Sequence, residues 1–162
     1  MKKRTLFMTR AALIAALYVV LTFLSHAAGL ASGLVQVRIS EALAVFCVFT
    51  SAGICGVTVG CLLSNIITGC MLPDVICGTL ATLIGAVGTR MVGRKAPRLA
   101  PLPTVLANTL TIPFLLYYAY GFRPLWLGFL TVFAGEAISC YALGLPLYFL
   151  IKRYKHSLGL DD

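Results

Sequence analysis

The chain has 162 residues, which is room for one domain, and a net charge of +8. Sixty per cent of the residues are hydrophobic, only 11% are charged, and the mean hydropathy is +0.96. Soluble domains carry about 25% charged residues, so this composition excludes an ordinary water-soluble fold and also a disordered chain.

Three long stretches, residues 11–37, 42–73 and 99–122, contain no Asp, Glu, Lys or Arg. A membrane-spanning helix needs about 20 apolar residues, and these runs lack the polar–apolar alternation of barrel strands. We therefore predict an all-α integral membrane protein with a single transmembrane domain over residues 1–162.

Glycines, prolines and charged residues divide the chain into six predicted transmembrane helices. They are expected at about residues 11–29, 36–50, 54–70, 75–90, 102–120 and 125–151.

The predicted connections have recognisable local signals. Ser32 and Gly33 loosen the chain after the first helix, and residues 51–53 are the one plausible break between the second and third. Pro73 is expected to end a helix and Asp74 to cap the next one. Pro113 predicts a kink in the fifth helix, and residues 144–146 a bend near the end of the sixth.

The basic residues predict the orientation in the membrane. With six helices, eleven of the 13 fall on one side: Lys2, Lys3, Arg4, Arg10, Arg90, Arg94, Lys95, Arg98, Lys152, Arg153 and Lys155. The positive-inside rule then places both termini, with basic tails at 1–10 and 152–162, in the cytoplasm of a plasma-membrane protein. This placement accounts for the charge of +8, so we expect no nucleic-acid partner.

The six cysteines include no CxxC pair and lie in apolar sequence, which is typical of small buried side chains. Cys70 and Cys77 flank a predicted turn, and a bond between them is the alternative.

Glu136 is the most deeply placed acidic residue. It lies about 11 residues from the outer end of its helix, or about 16 Å at the α-helical rise. A carboxylate at that depth is a functional candidate by default. The alternative is a structural role, in which Glu136 forms a hydrogen bond with Asn108 of another helix. Interhelical hydrogen bonding is also the ordinary role for a second amide in an apolar helix, that of Asn65.

Glu41 and Asp74 are expected nearer the outer mouth of the protein. Arg38 and Glu41, three residues apart on one helix face, either pair with each other or contact a ligand. Asp74 serves as a helix cap or as a ligand contact.

Aromatic side chains gather at the outer end of the fifth and sixth helices, at Tyr117, Tyr118, Tyr120, Phe122 and Trp126. An aromatic belt at the lipid interface explains such a cluster. The alternative is a ring-lined mouth in which Tyr117 or Trp126 stacks on a flat heterocycle.

The sequence contains no HExxH, GxSxG or Walker motif, so we expect neither an enzyme nor a cofactor or metal bound by this chain. ATP-driven transport would need a separate ATPase subunit.

The first helix begins with alanines four residues apart, as the pairs Ala11–Ala15 and Ala12–Ala16. Small residues at this spacing allow another helix to approach closely, either within the protein or from a partner.

Four stretches, residues 36–43, 74–83, 106–113 and 135–146, resemble the QueT family, whose members are substrate-binding S components of energy-coupling factor (ECF) transporters. The resemblance implies six helices, an externally open pocket, a transmembrane coupling subunit and two ATPase subunits as partners. It implies that an alanine pair of the first helix docks on the coupling subunit, and that the substrate is a purine-like queuosine precursor, a 7-deazaguanine. One departure is Phe46, where the family leads us to expect a proline.

Eight polar or aromatic residues are therefore candidate substrate-binding residues: Arg38, Glu41, Asn65, Asp74, Asn108, Tyr117, Trp126 and Glu136. The alternative function is a stand-alone secondary transporter or channel, with Glu136 in an ion path. A structural membrane protein without a ligand is a further alternative.

Overall fold

The computed structural model describes residues 2–30 and 36–156, and every regular element in these two ranges is helical. The predicted loosening at Ser32 and Gly33 and the end of the predicted C-terminal tail lie outside the described residues.

Seven α-helices, two 3₁₀ segments and one π segment make up the described part of the fold. The α-helices are α1 (Lys2–Ala27), α2 (Phe46–Phe49), α3 (Ser51–Ile67), α4 (Leu72–Lys95), α5 (Leu102–Tyr118), α6 (Leu125–Ala137) and α7 (Leu145–Tyr154). A 3₁₀ segment (Ile39–Val45) leads into α2, a π segment (Ile138–Gly144) joins α6 to α7, and a short 3₁₀ turn (Pro97–Leu99) precedes α5.

Four helical stretches in the described ranges are long and apolar enough to cross a membrane: Lys3–Ala27, Leu72–Lys95, Pro97–Tyr118 and Leu125–Tyr154. The stretches Ile39–Phe49 and Ser51–Ile67 are apolar but shorter. Six helical stretches therefore occupy the predicted places, and four of them have the length of a full span.

A break does separate the second and third helices, but residues 51–53, where it was predicted, form the first turn of α3. The break lies at Thr50, whose backbone is extended and whose hydroxyl accepts a hydrogen bond from the Ala52 amide at 3.3 Å. Thr50 thus acts as the N-cap of α3. At its other end α3 is terminated by Gly69, whose φ of +73° favours glycine.

The start of α4 differs from the prediction. The N-cap is Met71, Pro73 lies in the first turn, and Asp74 follows inside the helix. Proline suits the first turn because an amide there has no helical partner. The prediction of Asp74 as the cap is therefore wrong, although its charge still lies at the favourable end of the helix.

Two further differences concern the cysteines and α1. All six cysteines are free, so the predicted alternative of a Cys70–Cys77 bond is wrong.

Helix α1 begins at Lys2, nine residues before its predicted start, because no helix breaker separates the basic N-terminal residues from the apolar run.

Close packing of α1 against α3 depends on glycine. A Cβ on Gly60 would lie 2.6 Å from the Cβ of Tyr18, and one on Gly56 would lie 2.7 Å from the Cβ of Ile14. Large apolar side chains such as Ile84 point outward instead. The helices therefore meet through small residues and leave an apolar surface suited to lipid.

The two irregular segments pack against each other. A Cβ on Gly144 of the π segment would lie 3.4 Å from the Ala42 oxygen of the 3₁₀ segment. On the α6 side, the backbone of Gln36 occupies the space where a Gly135 side chain would be. This contact brings the chain before α2 against the middle of the α6–α7 helix, where Glu41 and Glu136 lie.

Candidate functional site

Two connected cavities lie among α1, α3, α4, α5 and α6. The narrow cleft has a volume of about 20 Å³, and its polar lining consists of Gln36, Arg38, Glu41, Thr82, Asn108 and Glu136. The wide chamber has a volume of about 390 Å³. Gln36, Arg38 and Ile112 line both, so the cleft is continuous with the chamber.

The wide chamber lies at the end of the bundle where α1, α3 and α5 finish and α4 begins. Its remaining lining residues are His26, Thr68, Gly69, Cys70, Asp74, Leu115, Leu116, Tyr120 and Phe122. A volume of this size falls in the range of pockets for small organic ligands, whereas the narrow cleft has room for about one water molecule.

Glu41 is carried into the narrow cleft by the 3₁₀ segment and is only 2% exposed. The Tyr18 hydroxyl of α1 donates a hydrogen bond to its Oε1 atom. Its Oε2 atom is buried and has no hydrogen-bond partner among the described residues. Such an atom is costly to leave unpaired, which marks it as a place for a donor from a ligand.

Glu136 lies in the last turn of α6, directly before the π segment, and is 7% exposed. The Cys140 thiol lies 3.7 Å from its Oε2 atom. The same thiol lies 3.8 Å from the backbone oxygen of Glu41. The π segment thus links the two carboxylate-bearing elements, in keeping with the frequent occurrence of π-helical turns at functional sites.

Asn108 and Arg38 complete the polar wall of the cleft. Asn108 is buried in the middle of α5 and lies beside both Glu41 and Glu136. The predicted alternative, a hydrogen bond between Glu136 and Asn108, stays a prediction, because the amide lies beside Glu41 as well as beside Glu136. Arg38 lines both cavities and therefore lies between the chamber and the cleft.

Asp74 lies in the wall of the wide chamber. Its Oδ2 atom accepts a hydrogen bond from the Tyr120 hydroxyl at 3.2 Å, and that hydroxyl accepts one from the Met71 amide at 3.2 Å. Partial burial raises the pKa of Tyr120 above its ordinary value. The phenol therefore stays protonated at neutral pH and remains a donor to Asp74.

The structure brings five of the eight predicted residues to the cavities. Arg38, Glu41, Asn108 and Glu136 meet at the narrow cleft, and Asp74 faces the chamber. The prediction that Glu41 shares the mouth with Asp74 is wrong, because the 3₁₀ segment turns Glu41 inward beside Glu136.

The other three predicted residues line neither cavity. Asn65 is buried, and its Nδ2 atom lies 3.6 Å from the sulfur of Cys61, one turn earlier on the same helix α3, so its interhelical role stays a prediction. Tyr117 stacks with the Arg123 guanidinium at 5.4 Å, and Trp126 is 66% exposed. Both suit an aromatic belt better than a stacking site.

The sequence reasoning missed several residues that shape the site, namely Tyr18, Gln36, Thr82, Tyr120 and Phe122. Tyr18 had a usable signal, because tyrosine in a membrane helix favours the interface and this one lies in the middle of an apolar run. Tyr120 and Phe122 belong to the predicted aromatic cluster, in which sequence alone does not separate inward from outward rings.

The two alanine pairs of α1 lie in different environments. Ala15 is buried, and the Ala11 and Ala15 backbones pack on Gly56 and Gly60 of α3. Ala12 and Ala16 are exposed. Only the second pair is therefore accessible to a partner.

Comparison with known proteins identifies the family. The model of the QueT transporter family matches residues 8–153, which is most of the chain, so the protein belongs to the QueT transporter family. That family is described as one of transporters, and the four long apolar helices of the described ranges are typical of a multi-pass membrane protein.

One relative is the "Queuosine precursor transporter QueT" of Lactococcus lactis subsp. cremoris (strain MG1363), which is 37% identical over 83 residues. That stretch is 51% of this chain, and the chain spans about half (48%) of the relative. No solved structure matches the chain.

Proposed function

We propose that this chain is the substrate-capture subunit of an ATP-driven importer in the plasma membrane, and that its substrate is a queuosine precursor, a 7-deazaguanine. The observation that carries the proposal is the convergence of Glu41, Glu136 and Asn108, all buried, on a cleft that opens into a chamber of ligand size. The relative's name supports the substrate class.

The chemistry of the cleft matches one edge of a deazaguanine. That edge carries adjacent N–H donors and a neighbouring carbonyl acceptor. A carboxylate takes two donors at once, and an amide such as Asn108 supplies both a donor and an acceptor. The buried Oε2 atom of Glu41 would gain the partner that it lacks in the described structure.

The sizes of the two cavities assign different parts of the ligand to them. A cleft of about 20 Å³ admits only the polar edge, whereas the chamber of about 390 Å³ accommodates the rings. Tyr120 and Phe122 line the chamber and take the stacking role that was the predicted alternative for Tyr117 or Trp126.

We place the chamber on the outer side and both termini in the cytoplasm. The start of α1, the basic loop before α5 and the end of α7 lie at the opposite end of the bundle from the chamber. A matched pair of variants tests this orientation. In a background without accessible native thiols, an impermeant thiol reagent added to intact cells should label Arg123→Cys and spare Arg98→Cys; the reverse pattern contradicts it.

We assign docking on a transmembrane coupling subunit, which works with two ATPase subunits, to the exposed Ala12–Ala16 face of α1. This chain would then use no ATP itself. Ala12→Leu or Ala16→Leu should abolish uptake and copurification of the ATPases, because added bulk prevents close helix approach. Ligand binding by the isolated chain should survive. Ala142→Leu, at an exposed position of the π segment, is the matched control.

The direct test of the proposed function is ligand binding by the purified chain. Calorimetry with 7-aminomethyl-7-deazaguanine should give saturable binding, while adenine, which presents a different pattern of donors and acceptors, should not bind. Absence of binding by any 7-deazaguanine overturns the proposed substrate. Uptake that persists without copurifying ATPases favours the stand-alone transporter instead.

A further inference from the structure

Acidic side chains are concentrated in the lining of the two cavities, although the chain as a whole is basic. Among the described lining residues there are three carboxylates, Glu41, Asp74 and Glu136, and one guanidinium, Arg38. The whole chain has 13 basic and five acidic residues. Acidic groups are therefore concentrated at the cavities, where they favour a cationic ligand over a neutral one.

Asp74 is the carboxylate that lines the wide chamber, whereas Glu41 and Glu136 line the narrow cleft. It is 7% exposed, and one of its two oxygens accepts a hydrogen bond from a neutral phenol, that of Tyr120. A carboxylate offers about four acceptor positions, and the Tyr120 hydroxyl occupies one of them. In the connected cleft, the buried Oε2 atom of Glu41 independently indicates that the site is completed by donors from a bound molecule.

The shape of a 7-deazaguanine connects these two observations. The N–H edge belongs to its six-membered ring, and the substituent at position 7 projects from the five-membered ring. A ligand whose N–H edge enters the narrow cleft directs this substituent back into the chamber, the part of the site that Asp74 and Tyr120 line.

We propose that Asp74, beside Tyr120, forms a subsite for a protonated amine on the 7-substituent, so that the protein selects cationic 7-deazaguanines over neutral ones. The inference rests on the proposed function and adds the charge of the substrate to it. An ammonium group beside Asp74 would form a charge-assisted hydrogen bond in a largely buried site.

Two ligands that differ at position 7 test the subsite. Calorimetry on the wild-type chain should show 7-aminomethyl-7-deazaguanine binding about tenfold or more tightly than 7-cyano-7-deazaguanine, whose substituent is neutral. Asp74→Asn should remove this preference by weakening the aminomethyl compound alone. Unchanged binding of the cyano compound then shows that the variant is folded.

The other outcomes separate this inference from the proposed function. Equal binding of the two compounds to the wild type overturns the amine subsite and leaves the proposed function standing, as does a preference that survives in Asp74→Asn. Absence of binding by both compounds overturns the two together. Glu136→Gln is the matched control, because it should weaken both compounds and preserve their ratio.

Discussion

Two tyrosine–carboxylate hydrogen bonds border the cavities, and they differ in burial. In the narrow cleft, Tyr18 is 1% exposed and donates to Glu41. In the wide chamber, Tyr120 is 45% exposed and donates to Asp74. The same pair of groups thus occurs once inside the protein and once at a boundary that solvent reaches.

This difference indicates different roles for the two pairs. Breaking the Tyr18–Glu41 hydrogen bond leaves a buried carboxylate short of a donor, so that pair belongs to the permanent architecture of the cleft. Water or a ligand can replace Tyr120 at Asp74 at little cost, because that pair is close to solvent. The cleft therefore provides fixed recognition of a constant edge, and the chamber adapts to a variable substituent.

The largest loss of stability is expected at Gly135, which packs against the backbone of Gln36. Gly135→Ala places a Cβ on the backbone of Gln36, a residue that lines the cleft and the chamber. Because backbone atoms cannot yield as a flexible side chain does, the free energy of unfolding should fall by about 3 kcal/mol or more. Thermal unfolding in detergent measures this loss, and ligand binding should disappear with it.

Gly128→Ala on the same helix is the control. Its Cβ would meet its nearest neighbour, Pro113, at 3.5 Å, which is ordinary contact. We expect wild-type stability and binding. Equal behaviour of the two variants would show that the approach of Gln36 to α6 does not shape the cavities.

A smaller effect is expected at the buried tyrosine. Tyr18→Phe removes the donor to Glu41 Oε1 while Oε2 already lacks a partner, so the free energy of unfolding should fall by about 2 kcal/mol. Thermal unfolding in the absence of ligand measures it. An unchanged midpoint would mean that water or a neighbour replaces the hydroxyl, and the contrast between the two pairs would fail.

The smallest effect is expected at the exposed tyrosine. Tyr120→Phe removes the matching hydroxyl at Asp74, but solvent can take its place, so stability should change by less than about 1 kcal/mol. The same unfolding measurement applies. A loss as large as that of Tyr18→Phe would show that the chamber pair is also part of the permanent fold.

The fold was largely predictable because its signals are local. Charge-free runs predict the helices, although the predicted break at residues 51–53 lies inside α3 and Pro73 belongs to the first turn of α4. The 3₁₀ geometry of residues 39–45 was not predictable, because it depends on packing against the π segment rather than on local preference. Phe46, where a proline was expected, simply continues the chain into α2.

The candidate site was predicted in part. Depth along a helix was sufficient to single out Glu136, because a carboxylate far from both ends of an apolar helix is costly to bury and is therefore a functional candidate. The inward position of Glu41 depends on the 3₁₀ segment, and the outward position of Trp126 on the rotation of α6. Helical spacing alone does not reveal which side faces a cavity.

Binding calorimetry on Glu136→Gln tests the central claim, that the narrow cleft binds the N–H edge of the substrate. The substitution keeps the shape, removes the charge and adds donors where acceptors are needed. Affinity for 7-aminomethyl-7-deazaguanine should fall about tenfold or more, since 1.4 kcal/mol is a factor of ten. The variant should still insert and fold, because a neutral amide is cheaper to bury than a carboxylate. Wild-type affinity in a folded Glu136→Gln chain would contradict the claim and leave Glu136 as a structural polar residue.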